Sequence, residues 1–193
     1  MIWLDTPHDL TAFLQKHAHA THIGMDTEFI RERTYFPQLA LIQIATGNRL
    51  GVIDPVSCDA TLMRPLMDGP SLCVLHAAQQ DLDVLTQSVG FVPSRILDTQ
   101  LCASFLGYTQ PSLASLLQSL LKIVVPKGDR LTDWLRRPLT SDQLRYAASD
   151  VAYLAELSSI IFSDLEQRGR MEWAAEACEE LRTRPTGPNA PED

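Results

Sequence analysis

The sequence has little cysteine and no long uncharged apolar run. Its four cysteines are scattered and form no C-x-x-C pair; they are Cys58, Cys73, Cys102 and Cys178. This spacing argues against a structural zinc site and is typical of reduced, mostly buried thiols in a cytoplasmic protein. No segment is long and apolar enough to predict a transmembrane span. Asp5 and His8 interrupt the N-terminal region, so we expect no signal peptide.

Positive charge is also scarce, with 16 Lys and Arg against 24 Asp and Glu and a net charge of −8. This balance argues against a protein that coats nucleic acid, because such proteins normally present a basic surface. It is compatible with an enzyme that holds nucleic acid through metal ions and a small cationic patch. The length of 193 residues and the 45% apolar and 21% charged fractions are those of one ordinary globular domain.

Alternation and apolar runs predict five strands, near residues 21–29, 39–45, 50–53, 71–75 and 96–97. The first three are expected to form an antiparallel meander, and helices alternate with the rest. Helices are predicted near residues 6–17, 62–67, 79–88, 99–106, 113–121, 141–167 and 171–182. The prediction is an α/β domain with a five-stranded mixed sheet, flanked on both sides by helices, over residues 1–182. Several prolines then predict a disordered tail or linker over 183–193.

The first predicted strand carries two acids, Asp26 and Glu28, two positions apart. Residues i and i+2 of a strand point to the same face, so the two carboxylates are expected to lie side by side. Like charges inside a strand are destabilising unless a positive group lies between them. Mg²⁺ and Mn²⁺ prefer carboxylate oxygens. The pattern therefore predicts a site for a divalent metal ion.

Two later segments offer further acids. Tyr146 and Asp150 are four residues apart and share one face of a predicted helix, where apolar neighbours favour a paired or metal-bound carboxylate over an exposed one. Asp81 follows a strand and begins a helix near its buried face, whereas helical periodicity turns Asp83 to solvent. His76 precedes them, and a structural, hydrogen-bonded role is favoured over metal binding.

These residues resemble the three exonuclease motifs of the DEDD superfamily, in the subclass with Tyr in the third motif (DEDDy). The motifs are Asp26-Thr-Glu28, Asp81 at a strand-to-helix junction, and Tyr146-x-x-x-Asp150. The ribonuclease D family is similar over about residues 1–180, including the blocks 26–39, 75–77, 96–100 and 132–140. The resemblance implies a ribonuclease-H-like fold and a 3′-5′ exonuclease domain over residues 1–182.

The resemblance also implies two divalent metal ions, Mg²⁺ or Mn²⁺. Asp26 is then expected to bridge both ions, with Glu28 and Asp150 completing the first site. Asp81 is expected to serve the second ion, and Tyr146 to orient or deprotonate the attacking water. A phenol with an ordinary pKa of about 10 is a poor base at neutral pH, so the metal must share that task. The expected products are nucleoside 5′-monophosphates released from RNA 3′ ends, such as those of transfer RNA precursors or small RNAs.

Substrate contacts are predicted around these acids. Tyr35 and Phe29 can stack on terminal bases, although strand alternation favours core packing for Phe29. The cationic candidates for phosphate contacts are Lys127, Arg130, Arg136 and Arg137, each with a solvated surface charge as the alternative. Trp134 is expected in the core, and Gln43 is a strand residue with no evident partner.

The chain departs from the family in one respect. Ribonuclease D usually continues into one or two C-terminal helicase-and-ribonuclease-D domains that help to hold RNA, and this sequence stops about where they begin. Either it is a natural single-domain relative or it was cut at the linker. Three alternatives to an exoribonuclease remain: a DNA 3′-5′ exonuclease, an enzyme that degrades short oligonucleotides, and a catalytically silent nucleic-acid-binding module. The sequence does not indicate an oligomeric state.

Overall fold

The computed structural model describes residues 1–31, 35–125 and 132–184, and its centre is one mixed β-sheet. The strands are β1 (Ile2–Leu4), β2 (His22–Ile30), β3 (Gln38–Thr46), β4 (Arg49–Ile53), β5 (Leu72–Leu75) and β6 (Ile96–Asp98). Their spatial order is β1-β4-β3-β2-β5-β6. β2, β3 and β4 form the predicted antiparallel meander. β5 pairs parallel to β2, and β6 pairs parallel to β5.

The sheet has six strands, so the predicted count of five was one too low. The additional strand, β1, pairs in parallel with β4, from Ile2 opposite Gly51 to Leu4 opposite Ile53. Three residues are too few to display an alternating pattern, and the open edge of β4 supplies the pairing. The sequence therefore carried no local signal for this strand.

Eight helices are present in the described part of the chain. They are α1 (Pro7–Lys16), α2 (Arg64–Met67), α3 (Gln79–Val89), α4 (Thr99–Ser104), α5 (Leu113–Leu116), α6 (Ser141–Val151), α7 (Leu154–Gln167) and α8 (Met171–Thr183). A 3-10 turn, Ala60–Met63, leads into α2, and a π-helical turn, Leu117–Leu121, follows α5. Pro65 lies in the first turn of α2, where its missing N–H is tolerated. Within these ranges no helix combines the length and the apolar character that a membrane span requires.

The single helix predicted over 141–167 is two helices. A capping box formed by Thr140 and Gln143 begins α6. The helix ends after Val151, and Tyr153, with φ −115° and ψ 4°, separates it from α7. No glycine or proline marks this break, which is why the apolar periodicity alone did not predict it.

The C-terminal tail was predicted over residues 183–193. Thr183 still belongs to α8, and residues 185–193 lie outside the described residues.

Helices cover both faces of the sheet. At Gly24 a Cβ atom would lie 3.0 Å from the Val151 carbonyl oxygen and 3.3 Å from Leu154 Cβ, so the glycine allows α6 and α7 to approach β2 closely. At Gly51 a Cβ atom would meet Leu4 and Phe13 instead, which places α1 on the opposite face. Asp26 and Glu28 share the face of Gly24 by strand alternation, so they lie on the side that α6 covers.

Candidate active site

The site forms where β2 continues beyond the end of its neighbour β5. The two strands pair only from His22 to Gly24. The following residues of β2 remain bonded to β3 on one side, with Asp26 opposite Gln43 and Glu28 opposite Leu41. Their other side is open at the carboxyl end of the parallel strands, where ligands typically bind in α/β sheets. The acidic pair therefore lies at the edge of a cleft.

Three carboxylates meet in this cleft. One carboxylate oxygen from each of Asp26, Glu28 and Asp150 lies within 4.8 Å of the other two, and all three residues are half-buried. Asp26 and Glu28 come from β2, and Asp150 comes from the last turn of α6. The close approach of α6 to β2 at Gly24 brings the two elements together. The structure thus assembles three of the four predicted acidic residues into one group.

The fourth acid, Asp81, approaches the open side of β2 from the first turn of α3. Its Oδ1 atom accepts hydrogen bonds from the backbone N–H of Thr27, at 3.1 Å, and from the Thr27 hydroxyl, at 2.5 Å. Asp81 is only 6% exposed. The neighbouring Asp83 is half-buried and accepts a hydrogen bond from Gln79 Nε2 at 3.3 Å. Asp81 is therefore the residue of this pair that belongs to the site.

A tight turn between β5 and α3 fixes the position of Asp81. Ala77 has φ +57°, in the left-handed region that a residue with a Cβ atom rarely adopts. The buried carboxylate of Asp98 accepts hydrogen bonds from the N–H groups of Ala77, at 3.0 Å, and Ala78, at 2.9 Å. It also caps α4 through the N–H groups of Gln100 and Leu101. One buried acid thus holds the start of both α3 and α4.

Two of these acids, Asp26 and Asp81, have raised pKa values, and burial is the largest cause for both. Burial and the neighbouring charges of Asp81, Asp150 and Glu28 hold the pKa of Asp26 well above its usual range. Burial raises the pKa of Asp81 to about 7, against the opposing effect of its hydrogen bonds from Thr27. The raised pKa values favour the protonated forms of Asp26 and Asp81, and a positive charge between the two carboxyl groups would favour their ionised forms.

The surrounding cleft has a volume of about 470 Å³, and Tyr146 lines it together with all four acids. Trp134, only 2% exposed, also lines it, with its ring centroid 6.0 Å from that of Tyr146. Lys and Arg are absent from the described residues that line the cleft. Phe29 is half-buried and lines the cleft as well, although alternation alone turns it away from the acids. A register shift between Glu28 and Phe29 breaks that alternation.

The predicted substrate contacts have different outcomes. Tyr35 is 48% exposed and packs edge-on against Phe36, but it is not among the described residues that line the cleft. Lys127 and Arg130 lie outside the described residues. Arg137 is engaged elsewhere, because its guanidinium pairs with the buried Asp54 at 2.7 Å and donates to the Ala40 and Trp134 carbonyls. It supports the fold rather than offering a free charge to phosphate.

Several lining residues were not predicted as part of the site. Gln80, Gln100 and Ser112 contribute polar side chains to the cleft. His76 also lines it and has the expected structural hydrogen bond, between its Nδ1 atom and Thr99 Oγ1 at 2.9 Å. Gln80 and Gln100 lie in the first turns of α3 and α4, which follow β5 and β6, whereas Ser112 caps the N-terminus of α5. No local pattern in the sequence pointed to these three residues.

Comparisons with known proteins agree with this geometry. A family model described as a 3′-5′ exonuclease matches residues 1–166. The chain belongs to the 3′-5′ exonuclease family. The resemblance to ribonuclease D is also confirmed. Ribonuclease D of Xanthomonas oryzae pv. oryzae is 39% identical over 182 residues, which are 93% of this chain and 50% of that protein.

Similar solved structures show the same architecture. Escherichia coli RNase D, an exoribonuclease involved in structured RNA processing, superimposes with a TM-score of 0.93 and 33% identity, over 98% of this chain and 51% of that one. Brucella melitensis NrnC with bound Mg²⁺ has a TM-score of 0.81 and 25% identity, over 95% of this chain and 92% of its own. The fold is thus the predicted ribonuclease-H-like α/β fold. The chain spans about half the length of the ribonuclease D proteins that it matches.

Proposed function

We propose that the protein is a metal-dependent 3′-5′ exoribonuclease that removes nucleoside 5′-monophosphates one at a time from RNA 3′ ends. The observation that carries the proposal is the convergence of Asp26, Glu28 and Asp150 within 4.8 Å in a cleft that Tyr146 also lines. Membership of the exonuclease family supports the reaction class. The relatedness to ribonuclease D supports RNA as the substrate, with transfer RNA precursors or small RNAs as candidates.

The donor set fits a hard divalent cation. Three carboxylates supply oxygen ligands, which suit Mg²⁺ and Mn²⁺ and not the softer metals that thiolates select. The raised pKa values of Asp26 and Asp81 support this fit, because a cation between the acids would favour their ionised forms. Asp26, Glu28 and Asp150 would hold one ion, and Asp26 and Asp81 would serve a second. Such ions would supply water activation and stabilisation of the charge that develops on the leaving oxygen.

The protein's own groups position the reactants. The Tyr146 hydroxyl, one helical turn before Asp150, orients the attacking water toward the scissile phosphate. Thr27 holds Asp81 at a fixed distance from β2 through two hydrogen bonds. Phe29 offers an aromatic face for the terminal base, and Tyr35, Lys127 and Arg130 remain predicted contacts for RNA further from the 3′ end. We expect a single-stranded 3′ end to enter the cleft.

The proposal is tested with matched RNA and DNA oligonucleotides that carry a single-stranded 3′ overhang. With Mg²⁺ or Mn²⁺, we expect the RNA to shorten stepwise and faster than the DNA, because the 2′-hydroxyl distinguishes the two. Faster digestion of the DNA strand would identify a DNA 3′-5′ exonuclease instead. Binding of both strands without nucleotide release would identify a catalytically silent module.

One alternative has a specific observation in its favour. NrnC of Brucella melitensis, solved bound to pGG, superimposes with a TM-score of 0.82 and 25% identity. Because pGG is a short oligonucleotide, an enzyme that degrades short oligonucleotides is the second candidate. Rates measured on RNAs of increasing length separate the two. An exoribonuclease keeps its rate on longer RNA, whereas a short-oligonucleotide enzyme loses it sharply.

A further inference from the structure

One buried side chain beside the acids has no structural partner that explains it. Gln43 lies in the middle of β3 and is 0% exposed. Its Oε1 and Nε2 atoms both lack a hydrogen-bond partner among the residues that the structure describes. An amide buried in this way destabilises the folded state, because its groups lose their hydrogen bonds to water. An apolar side chain of similar size would serve the fold better at this position.

The sheet register shows which polar group Gln43 faces. Gln43 lies directly opposite Asp26 in the antiparallel β2–β3 pair. Directly opposed residues share a face of the sheet, with Cβ atoms roughly 4.5–5.5 Å apart. The other side chains next to Gln43 on that face are apolar: Leu41 and Ala45 along β3, and Val52 opposite it on β4. Asp26 is therefore the polar neighbour that the sheet places beside the amide.

We propose that Gln43 is a positioning residue for Asp26, whose carboxylate it hydrogen-bonds when Asp26 holds a divalent cation. The inference rests on the proposed function, because it assumes that Asp26 is a metal ligand. An amide N–H that donates to a carboxylate favours its ionised form and fixes its orientation. Carboxylates that bind metals are commonly held by such outer partners, and loss of the partner typically weakens metal affinity by roughly 10–100-fold. This role accounts for a polar side chain in an apolar layer.

The experiment compares the parent protein with Gln43→Met, which keeps the length of the side chain and removes the amide. Mn²⁺ affinity is measured on the metal-free proteins by electron paramagnetic resonance, and the thermal midpoint is measured in EDTA. We expect the Mn²⁺ dissociation constant to rise on the order of tenfold. Nucleotide release should recover when Mn²⁺ is raised in proportion. The midpoint in EDTA should stay level or rise, because an unpaired buried amide has been removed.

A matched control and a second variant complete the test. Ile44→Val changes a buried residue on the opposite face of the same strand, and its Mn²⁺ affinity should equal that of the parent. Gln43→Leu repeats the measurement in a second apolar background. If both Gln43 variants bind Mn²⁺ as tightly as the parent protein, Gln43 does not position Asp26, whatever their thermal midpoints in EDTA. The proposed function would still stand. A parent protein that binds no Mn²⁺ overturns the proposed function and the inference together.

Discussion

The Thr27 hydroxyl donates a hydrogen bond of 2.5 Å to Oδ1 of Asp81, across 54 positions of sequence. This contact joins the strand that carries Asp26 and Glu28 to the helix that carries Asp81. The backbone N–H of Thr27 donates to the same oxygen at 3.1 Å. A single threonine between two acids therefore positions a third, and its substitution tests how strictly Asp81 must be placed.

Thr27→Val removes the hydroxyl and keeps the shape of the side chain. We expect nucleotide release to fall by roughly 10-fold, as is typical when the hydrogen-bond partner of a metal-site carboxylate is lost. The pKa of Asp81 should also rise, because the side-chain hydrogen bond from Thr27 lowers it. The pH–rate profile should therefore shift to higher pH. Thr27→Ser restores the hydroxyl and should restore both the rate and the profile. An unchanged profile in Thr27→Val contradicts the assigned role of Asp81.

Asp26→Asn removes the carboxylate shared by both proposed ions. We expect nucleotide release to fall by more than about a hundredfold, since even outer partners of metal ligands typically account for 10–100-fold. The fold should remain intact, and the metal-free protein should become more stable at neutral pH because a crowded negative charge is gone. Circular dichroism and thermal unfolding in EDTA check the fold. Asp83→Asn is the control and should behave as the parent. Parent-like digestion by Asp26→Asn excludes this site.

Tyr146→Phe tests the group that orients the attacking water. We expect kcat to fall by roughly 100-fold, the lower end of the range for a positioned acid–base group, while the Mn²⁺ dissociation constant stays at the parent value. Tyr153→Phe, which removes a hydroxyl just beyond α6 and outside the cleft, is the matched control. Single-turnover release on a short RNA separates chemistry from product release. Turnover equal to that of the parent removes Tyr146 from the mechanism.

The raised pKa of Asp81, about 7, predicts how pH changes stability without metal. Between about pH 4 and 7 the folded protein keeps a proton that the unfolded chain has released, so this group destabilises the fold increasingly as pH rises. Asp81→Asn removes the effect. Its stability advantage over the parent should therefore grow from pH 4 to about 7 and then stay level. Denaturant unfolding in EDTA at several pH values measures it, and a constant advantage contradicts the raised pKa.

Arg137→Met tests the ion pair between Arg137 and the buried Asp54. Asp54 is only 2% exposed, and the substitution would leave it without its cation. Breaking a buried ion pair in this way typically lowers the free energy of unfolding by about 3–5 kcal/mol. We expect the low end of this range because the Arg137 side chain is 22% exposed. Arg136→Met, at an exposed position, should change the unfolding free energy by less than about 0.5 kcal/mol. Urea unfolding measures both. Equal stability of the two variants would show that the Asp54 pair contributes little.

Much of the site could be predicted from the sequence because its signals are local. Spacing determines which face each side chain takes. Asp26 and Glu28 are two residues apart on a strand, and Tyr146 and Asp150 are four residues apart on a helix. The structure brings these four side chains to one cleft, as expected. Asp81 was distinguished from Asp83 by helical periodicity, and only Asp81 reaches the site.

The remainder depends on tertiary contacts that leave no local pattern. Strand β1 is paired with the open edge of β4. No glycine or proline marks the break at Tyr153 between α6 and α7. The register shift that turns Phe29 to the cleft is a property of the β2–β3 pair, not of either strand alone. Gln43 had no evident partner in the sequence, and only the register placed it opposite Asp26.

The central claim is that acids from β2, α3 and α6 act together on a 3′ end through divalent cations. The most direct test follows a 5′-labelled RNA with a 3′ overhang at single-nucleotide resolution, with Mg²⁺ and with EDTA. We predict a ladder that shortens from the 3′ end with Mg²⁺, accompanied by nucleoside 5′-monophosphates, and intact RNA with EDTA. Shortening that continues in EDTA, or that persists in Asp26→Asn, would contradict the account.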